Sequence, residues 1–257
     1  MFNRLGGQNS ATEGDRVKEE TVALARVKGR AMQGRFFLPE VVTSRLPGVV
    51  VIFDIFGMTA DLNRIASRFV DETYAVIVPD LFDRREPRLS CVVRALRSSV
   101  RGSGREYEDI ELARQYLLRR PEVDPHRIAI TGFCMGGSFA VVLAGRGMFK
   151  VSAPFYGEVS KNPQMLRESC PVVASYGARD SATMIDSGKR LEAQLVRLGV
   201  PHDVKFYPDA GHSFMNRNTG FLAQKIAPHL PMHAEYHHES AEDAWRRLFS
   251  FFQIHLA

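Results

Sequence analysis

The stretch IAITGFCMGGS, residues 128–138, joins a short apolar strand to an apolar helix with almost no loop between them. Residues 128–133 have the apolar character of a buried strand, and residues 135–144 have that of a helix packed against a sheet. Cys134 stands between them, so we expect its backbone to be strained and its thiol to point out at the carboxyl edge of the sheet. Glycines on either side remove the Cβ atoms that would collide where helix and strand pack this closely: Gly132, Gly136 and Gly137.

This turn resembles the nucleophile elbow of α/β-hydrolases, with sulfur in place of the usual serine oxygen. The positive end of the following helix favours the thiolate, which is the reactive form. The alternative is that Cys134 is a structural thiol, because free cysteine is among the most buried residue types. A core cysteine does not need three nearby glycines, so the pattern favours a nucleophile.

Strand and helix patterns alternate along the rest of the chain, which predicts a mostly parallel sheet of about 7–8 strands with helices on both faces. Together with this, the resemblance of the elbow implies an α/β-hydrolase fold. We expect residues 1–20 to form a flexible arm and residues 21–257 a single domain. The last helix has Ser240 as its expected cap. Expected strands are 21–27, 33–38, 49–53, 75–78, 128–133, 151–156, 172–177 and 204–207, and expected helices are 62–72, 107–119, 135–144, 182–198 and 241–255.

Cysteine usage and hydropathy indicate a soluble cytoplasmic protein. The three cysteines are widely spaced and form no CxxC pair, which argues against a disulfide framework and against zinc. No apolar run approaches the ~18 residues that span a bilayer, and the N-terminus lacks a signal-peptide pattern. We therefore expect no membrane partner and no cofactor.

Arginines are concentrated in residues 84–105, which hold seven of them and one acid, Glu86. No aromatic residues are interleaved with them, so a nucleic-acid platform is not expected. A solvated face explains most of these arginines, and the alternative is that one or two of them bind a substrate carboxylate. The Ser, Gly and Arg content of residues 84–104 predicts an irregular, mobile segment over the site, although 91–96 could form a helical turn.

A cysteine nucleophile needs a base, an acid that orients the base, and donors for the developing oxyanion. Asp180 follows the strand 172–177, and His212 follows the strand 204–207, in the chain order expected for this fold. Asp180 could instead cap the helix that starts near residue 182. For the oxyanion we expect the backbone N–H groups of Met135 and Ile55.

The remaining histidines are less suited to catalysis. His126 and His202 precede strands, and His255 belongs to the last helix. The run His229, His233, His237 and His238 suggests a metal site, but Pro228 and Pro231 would interrupt the helix that this spacing needs. A polar surface loop is the better interpretation, and no metal is expected.

Six motifs together resemble the dienelactone hydrolase (carboxymethylenebutenolidase-like) family. They are VVVIFDIFG, VIVPDLFDR, VDPHRIAITGFCMGG, the YG at 156–157, GARD and AGHSF. The resemblance implies that Asp54 lies beside the thiol and takes up its proton, and that Arg84 binds a substrate carboxylate. It also implies a second carboxylate-binding arginine, but Asn216 stands at that position, with Arg217 next to it.

These patterns predict a hydrolase that cleaves a small ester or lactone, with or without an anionic group, through an acyl-cysteine intermediate. We expect a monomer or a small homo-oligomer. One alternative is a binding or sensing protein that keeps the pocket without turnover. Another is a class I glutamine amidotransferase, which also places a cysteine on an elbow but pairs it with a His-x-Glu motif near the C-terminus.

Overall fold

The computed structural model describes residues 17–27, 30–82, 87–217, 219, 225 and 229–257. Eight strands form one sheet in the order β1-β2-β4-β3-β5-β6-β7-β8. The pairs β1·β2 and β2·β4 are antiparallel, and every other neighbouring pair is parallel. The predicted mostly parallel sheet is therefore confirmed. The strands are β1 (Val17–Val27), β2 (Arg30–Pro39), β3 (Leu46–Ile52), β4 (Ala75–Pro79), β5 (Val123–Phe133), β6 (Val151–Phe155), β7 (Val172–Gly177) and β8 (His202–Tyr207).

Six α-helices occur in the described part of the chain, and five of them pack on this sheet, whereas the second, at 88–101, packs on the third and fourth helices. Strands β3, β4, β6 and β7 are buried along their whole length, and β5 is buried from residue 128 onward, as expected for a parallel sheet covered by helices. No helix among the described residues is long and apolar enough to cross a membrane. The helices are α1 (Ala60–Asp71), α2 (Arg88–Arg101), α3 (Arg105–Leu118), α4 (Met135–Ala144), α5 (Ala182–Leu198) and α6 (His238–His255).

The first strand corrects the predicted flexible arm. Residues 17–20 belong to β1, where Val17 pairs with Pro39 of β2. The charged side chains at 18–20 obscured the strand, but an edge strand tolerates them. Glu19 accepts a hydrogen bond from Arg35 on the neighbouring strand at 2.6 Å. Residues 1–16 lie outside the described residues.

Helix α2 contradicts the prediction of an irregular segment at 84–104. The face of α2 that packs on the protein carries only small residues: Cys91, Ala95, Ser98 and Ser99. Its larger aliphatic side chains are exposed, so the usual hydrophobic pattern of a packed helix is absent from the sequence. Gly102 ends the helix with a left-handed backbone, φ 70°.

Helix α6 begins three residues earlier than predicted. Its N-cap is His237, whose ring nitrogen accepts from the Ser240 N–H at 3.4 Å, so Ser240 lies inside the first turn and is not the cap. The apolar side chains Trp245, Leu248, Phe249 and Phe252 of this helix are buried, and Trp245 packs edge-on against Phe69 of α1 with ring centroids 5.3 Å apart.

Candidate active site

Cys134 occupies a strained turn between β5 and α4. Its φ of 56° and ψ of −115° lie outside the regions that residues with a side chain normally adopt. The Cys134 N–H donates to the Phe155 carbonyl at 3.1 Å, and the Cys134 carbonyl accepts from Ser138 N at 3.1 Å. A Cβ at Gly132 would collide with the Gly136 carbonyl, and one at Gly137 with the Phe155 carbonyl. The glycines therefore allow the close packing that holds the strained turn.

Asp180 and His212 form a buried pair at the ends of β7 and β8. Asp180 Oδ2 lies 2.7 Å from His212 Nδ1, and both side chains are more than nine-tenths buried. The other carboxylate oxygen of Asp180 accepts from the Ser181 N–H at 2.6 Å. Ser181 is the N-cap residue of α5. Asp180 thus fixes the imidazole and the start of the helix together.

His212 also hydrogen-bonds to Cys134, which completes the contact between the elbow and the acid–base pair. Burial lowers the pKa of His212, but the hydrogen bonds to Asp180 and to Cys134 oppose it, and the net result is a pKa of about 10. The ring is therefore stabilised in its protonated form. Because Nδ1 faces Asp180, the nitrogen available to the sulfur is Nε2.

Main-chain contacts hold the loop that carries His212. The His212 N–H donates to the Met232 carbonyl at 2.8 Å. A Cβ at Gly211 would collide with the His233 carbonyl, and one at Gly177 would collide with the carbonyl of Gly211. These close approaches explain why glycine stands at the end of β7, before Asp180, and again directly before His212.

Asp54 is buried in the loop after β3. Its Oδ1 accepts from Phe56 N at 2.8 Å, and its carbonyl accepts from Gly57 N at 3.1 Å, so it organises its own turn. Asp54 and Cys134 both act electrostatically on the Tyr156 hydroxyl. Asp54 therefore faces the same buried space as the sulfur, and a role in taking up its proton stays a prediction.

The two predicted oxyanion donors lie at adjoining chain segments. Met135 is the first residue of α4, so its N–H is one of those that a helix leaves without an internal partner. A Cβ at Gly136 would collide with the carbonyls of Ile52 and Phe53, so the start of α4 lies directly against the end of β3. Ile55 lies two residues after Phe53 and is partly buried.

The predicted substrate-binding residues have different surroundings. Arg84 lies outside the described residues. Asn216 is buried; its Oδ1 accepts from the Tyr156 hydroxyl, and its Nδ2 donates to Asp61 at 3.4 Å. The exposed guanidinium of Arg217 donates to the Tyr236 hydroxyl at 3.0 Å. Both polar groups of Asn216 thus have protein partners, and a substrate contact for it or for Arg217 stays a prediction.

Two further residues at this site were not singled out as functional from the sequence. Tyr156 is fully buried with φ 40°, and its ring lies 5.0 Å from that of His212. Burial first, and then the charge of Asp54, raise its pKa well above the ordinary value. Asp61 accepts from Arg64 at 2.6 Å and from the Arg217 N–H at 2.9 Å. Two sequence features could have pointed to these residues: the Tyr-Gly pair that follows β6, and the spacing of three between Asp61 and Arg64.

Two of the four C-terminal histidines, His237 and His238, hydrogen-bond to neighbouring protein groups. Two His-x-Glu runs, as the amidotransferase alternative requires, do occur, at 233–235 and 237–239. The first lies in the loop before α6, and the second forms the start of α6, where His237 caps the helix. The ring of His238 lies 3.2 Å from the Tyr236 hydroxyl. Within the described ranges, no group of three or more His, Cys, Asp or Glu side chains could hold a metal ion.

The other two cysteines are buried away from this turn. Cys91 lies on the packed face of α2, and Cys170 lies in the core, where burial raises its pKa to about 12. Cys134 is partly exposed. The three thiols therefore differ in how accessible they are to solvent.

Comparisons with known proteins agree with this architecture. The dienelactone hydrolase family matches residues 32–256. A carboxymethylenebutenolidase from Rhodococcus opacus is 28% identical over 224 residues, covering 81% of each chain. The solved structure m3DLH has a TM-score of 0.79 at 22% identity and covers 94% of this chain and 100% of that one. A metagenomic dienelactone hydrolase-like promiscuous phosphotriesterase has a TM-score of 0.74 at 23% identity, covering 93% of this chain and 99% of that one. The two solved structures share the fold.

Proposed function

This chain belongs to the dienelactone hydrolase family, and we propose that it cleaves small esters or lactones through an acyl-cysteine intermediate on Cys134. Membership of the family makes it a hydrolase of lactones or esters. We further propose which residue is the nucleophile and what role each catalytic residue has.

One observation carries the proposal. A buried imidazole is held at 2.7 Å by Asp180 and hydrogen-bonds to a sulfur that stands on a strained turn with φ 56°. A nucleophile, a base and an orienting acid in contact are the parts that acyl transfer needs. The pKa of about 10 supports a protonated His212 at neutral pH, and a positive ring beside sulfur favours thiolate.

In the first half-reaction the Cys134 thiolate attacks the substrate carbonyl carbon. The C=O π electrons move onto oxygen, and the backbone N–H groups of Met135 and Ile55 donate to that oxyanion. When the tetrahedral intermediate collapses, the C–O bond to the leaving group breaks and His212 Nε2 gives its proton to the departing oxygen. The products are an alcohol, which stays tethered when the substrate is a lactone, and an acyl-cysteine thioester.

In the second half-reaction His212, now neutral, takes a proton from water. The resulting hydroxide attacks the thioester carbonyl, and the C–S bond breaks to release the carboxylic acid and to regenerate the thiolate beside protonated His212. Asp180 keeps Nδ1–H oriented through both steps and stabilises the positive ring. Asp54 acts before this cycle: when substrate binds, it takes up the proton of the Cys134 thiol and so leaves the thiolate, and it returns that proton to the sulfur after the acid has been released.

Substrate selection in this proposal depends on charge. Arg84 and Arg217 are the proposed carboxylate contacts, whereas Asn216 contributes an uncharged amide. The second of the two arginines that the resemblance implies would then lie one position later, at Arg217. The free thiols also support a cytoplasmic location.

The test replaces Cys134 with alanine and measures turnover of 4-nitrophenyl acetate. We expect turnover to be abolished, with Cys170→Ala as the matched control that keeps the elbow thiol. Mass spectrometry of the wild type, quenched during turnover, should find one acetyl group on the peptide that contains Cys134. Full activity in the alanine variant would overturn the mechanism. Stoichiometric labelling of Cys134 by iodoacetamide without any ester turnover would instead favour a binding protein.

A further inference from the structure

A groove runs along the outer side of α2 and is lined by none of the residues proposed for catalysis. Its volume is about 730 Å³, within the ~300–1,000 Å³ that is usual for small-molecule sites. One part of its lining is aliphatic, from Leu89 and Val93, and the other part is cationic and hydroxylic. We call it the α2 groove; its polar lining residues are Ser90, Arg94, Arg97, Ser98, Arg101 and Ser103.

The arginines of the α2 groove lie on one face of the helix. Arg94, Arg97 and Arg101 are separated by three and four residues, which places them one above another. Glu106, which is completely buried, holds Arg94 at 2.7 Å. Arg97 and Arg101 are exposed, and no ion pair in the described part of the chain includes either of them. Two guanidinium groups are therefore available to an anion, which they would bind through charge-assisted hydrogen bonds.

An aliphatic stripe lies beside these arginines. Leu89 is 75% exposed, and Val93, Leu96 and Val100 follow it on the same side of α2, each at least 37% exposed. Eleven residues separate the first from the last, which is about 16 Å along a helix. Exposed apolar surface of this kind, next to polar residues, commonly marks a binding site.

The far wall of the α2 groove is fixed before any ligand arrives. The loop at 102–104 begins with Gly102, whose N–H donates to the Ser98 carbonyl at 3.0 Å. A Cβ at Gly104 would collide with the Ser98 side chain, so this loop packs directly on the helix. Arg146 also donates to the Gly102 carbonyl. The site is therefore preformed, and ligand binding would cost little conformational entropy of the protein chain.

We propose that the α2 groove binds an aliphatic carboxylate as a free small molecule. Its carboxylate contacts Arg97 and Arg101, and its hydrocarbon chain lies along Val93 and Leu89 toward the start of the helix. Two available guanidinium groups next to an aliphatic wall favour a ligand that has an anionic head group and an apolar tail. This inference goes beyond the proposed function, because it needs neither the thiol nor turnover.

The experiment titrates the Cys134→Ala protein with sodium hexanoate, octanoate and decanoate in a calorimeter. Each added methylene should tighten binding by about two- to fourfold, and 1-octanol should bind at least about tenfold more weakly than octanoate. The double variant Arg97→Gln/Arg101→Gln should lose about tenfold or more in octanoate affinity, and Val93→Glu should abolish binding. Matched controls are Arg246→Gln and Val196→Ser, which alter an exposed arginine and an exposed valine on other helices.

Several outcomes would overturn the proposal. These are the absence of octanoate binding, equal binding of octanol, or unchanged affinity in the arginine variant while circular dichroism shows that it is folded. Binding to phosphatidylglycerol vesicles without binding to monomeric octanoate would also overturn it, because α2 would then be a membrane-contact surface. Turnover that persists in Cys134→Ala would contradict the catalytic proposal and leave this binding result standing.

Discussion

Replacing Asp180 with asparagine tests the Asp180–His212 pair most directly, because asparagine keeps the shape and removes the charge. The gap between the His212 pKa of about 10 and its ordinary 6.5 corresponds to about 5 kcal/mol at 1.36 kcal/mol per pKa unit. The hydrogen bonds to Asp180 and to Cys134 share this stabilisation. With half assigned to Asp180, roughly 2–3 kcal/mol is lost, which is on the order of 10²-fold in rate.

We therefore expect kcat/KM for 4-nitrophenyl acetate to fall at least about 50-fold in Asp180→Asn. The His212 pKa should fall as well, so the rate of Cys134 alkylation by iodoacetamide should change its dependence on pH. Asp209→Asn is the matched control, since Asp209 is an exposed acid close to the same loop. A variant that keeps kcat/KM within about threefold of wild type, with an unchanged pH profile, would refute the role of the pair.

Two other measurements test how this site contributes to folding. The raised pKa of His212 stabilises the folded state fully below about pH 6.5, and this contribution, at most about 5 kcal/mol, is lost as pH rises toward 10. Urea unfolding of wild type and His212→Gln should thus differ most below pH 6.5 and converge near pH 10; a constant difference would contradict the assignment. Asn216→Leu should lower the free energy of unfolding by about 2–4 kcal/mol, because the Tyr156 hydroxyl and Asp61 lose a buried partner. An unchanged urea midpoint would show that this network contributes little.

The parts of the fold that follow from chain periodicity could be predicted. The elbow was visible because three glycines and an apolar strand and helix leave little freedom at Cys134. Asp180 and His212 were placed together by one rule, that parallel strands end at the same edge of the sheet. The distance of 2.7 Å between Asp180 Oδ2 and His212 Nδ1 depends on the conformations of the two folded loops, so it could not be predicted.

Other features could not be predicted, because they depend on contacts between distant segments. The pattern of α2 is reversed, with small residues packed inward and leucine and valine outward, so its composition indicated an irregular segment. The hydrogen bond between Tyr156 and Asn216 joins residues 60 positions apart, and no local pattern marks it. The first turn of α6 was missed because histidine is an uncommon cap.

The different surroundings of the three thiols have a practical consequence for spectroscopy. Cys91 and Cys170 are enclosed, and only the sulfur at the elbow is open to reagents. A maleimide dye or a nitroxide added to the unaltered protein should therefore attach at one position, without removal of the other cysteines. Such a label would lie beside the imidazole and report on ligand entry by fluorescence or electron paramagnetic resonance.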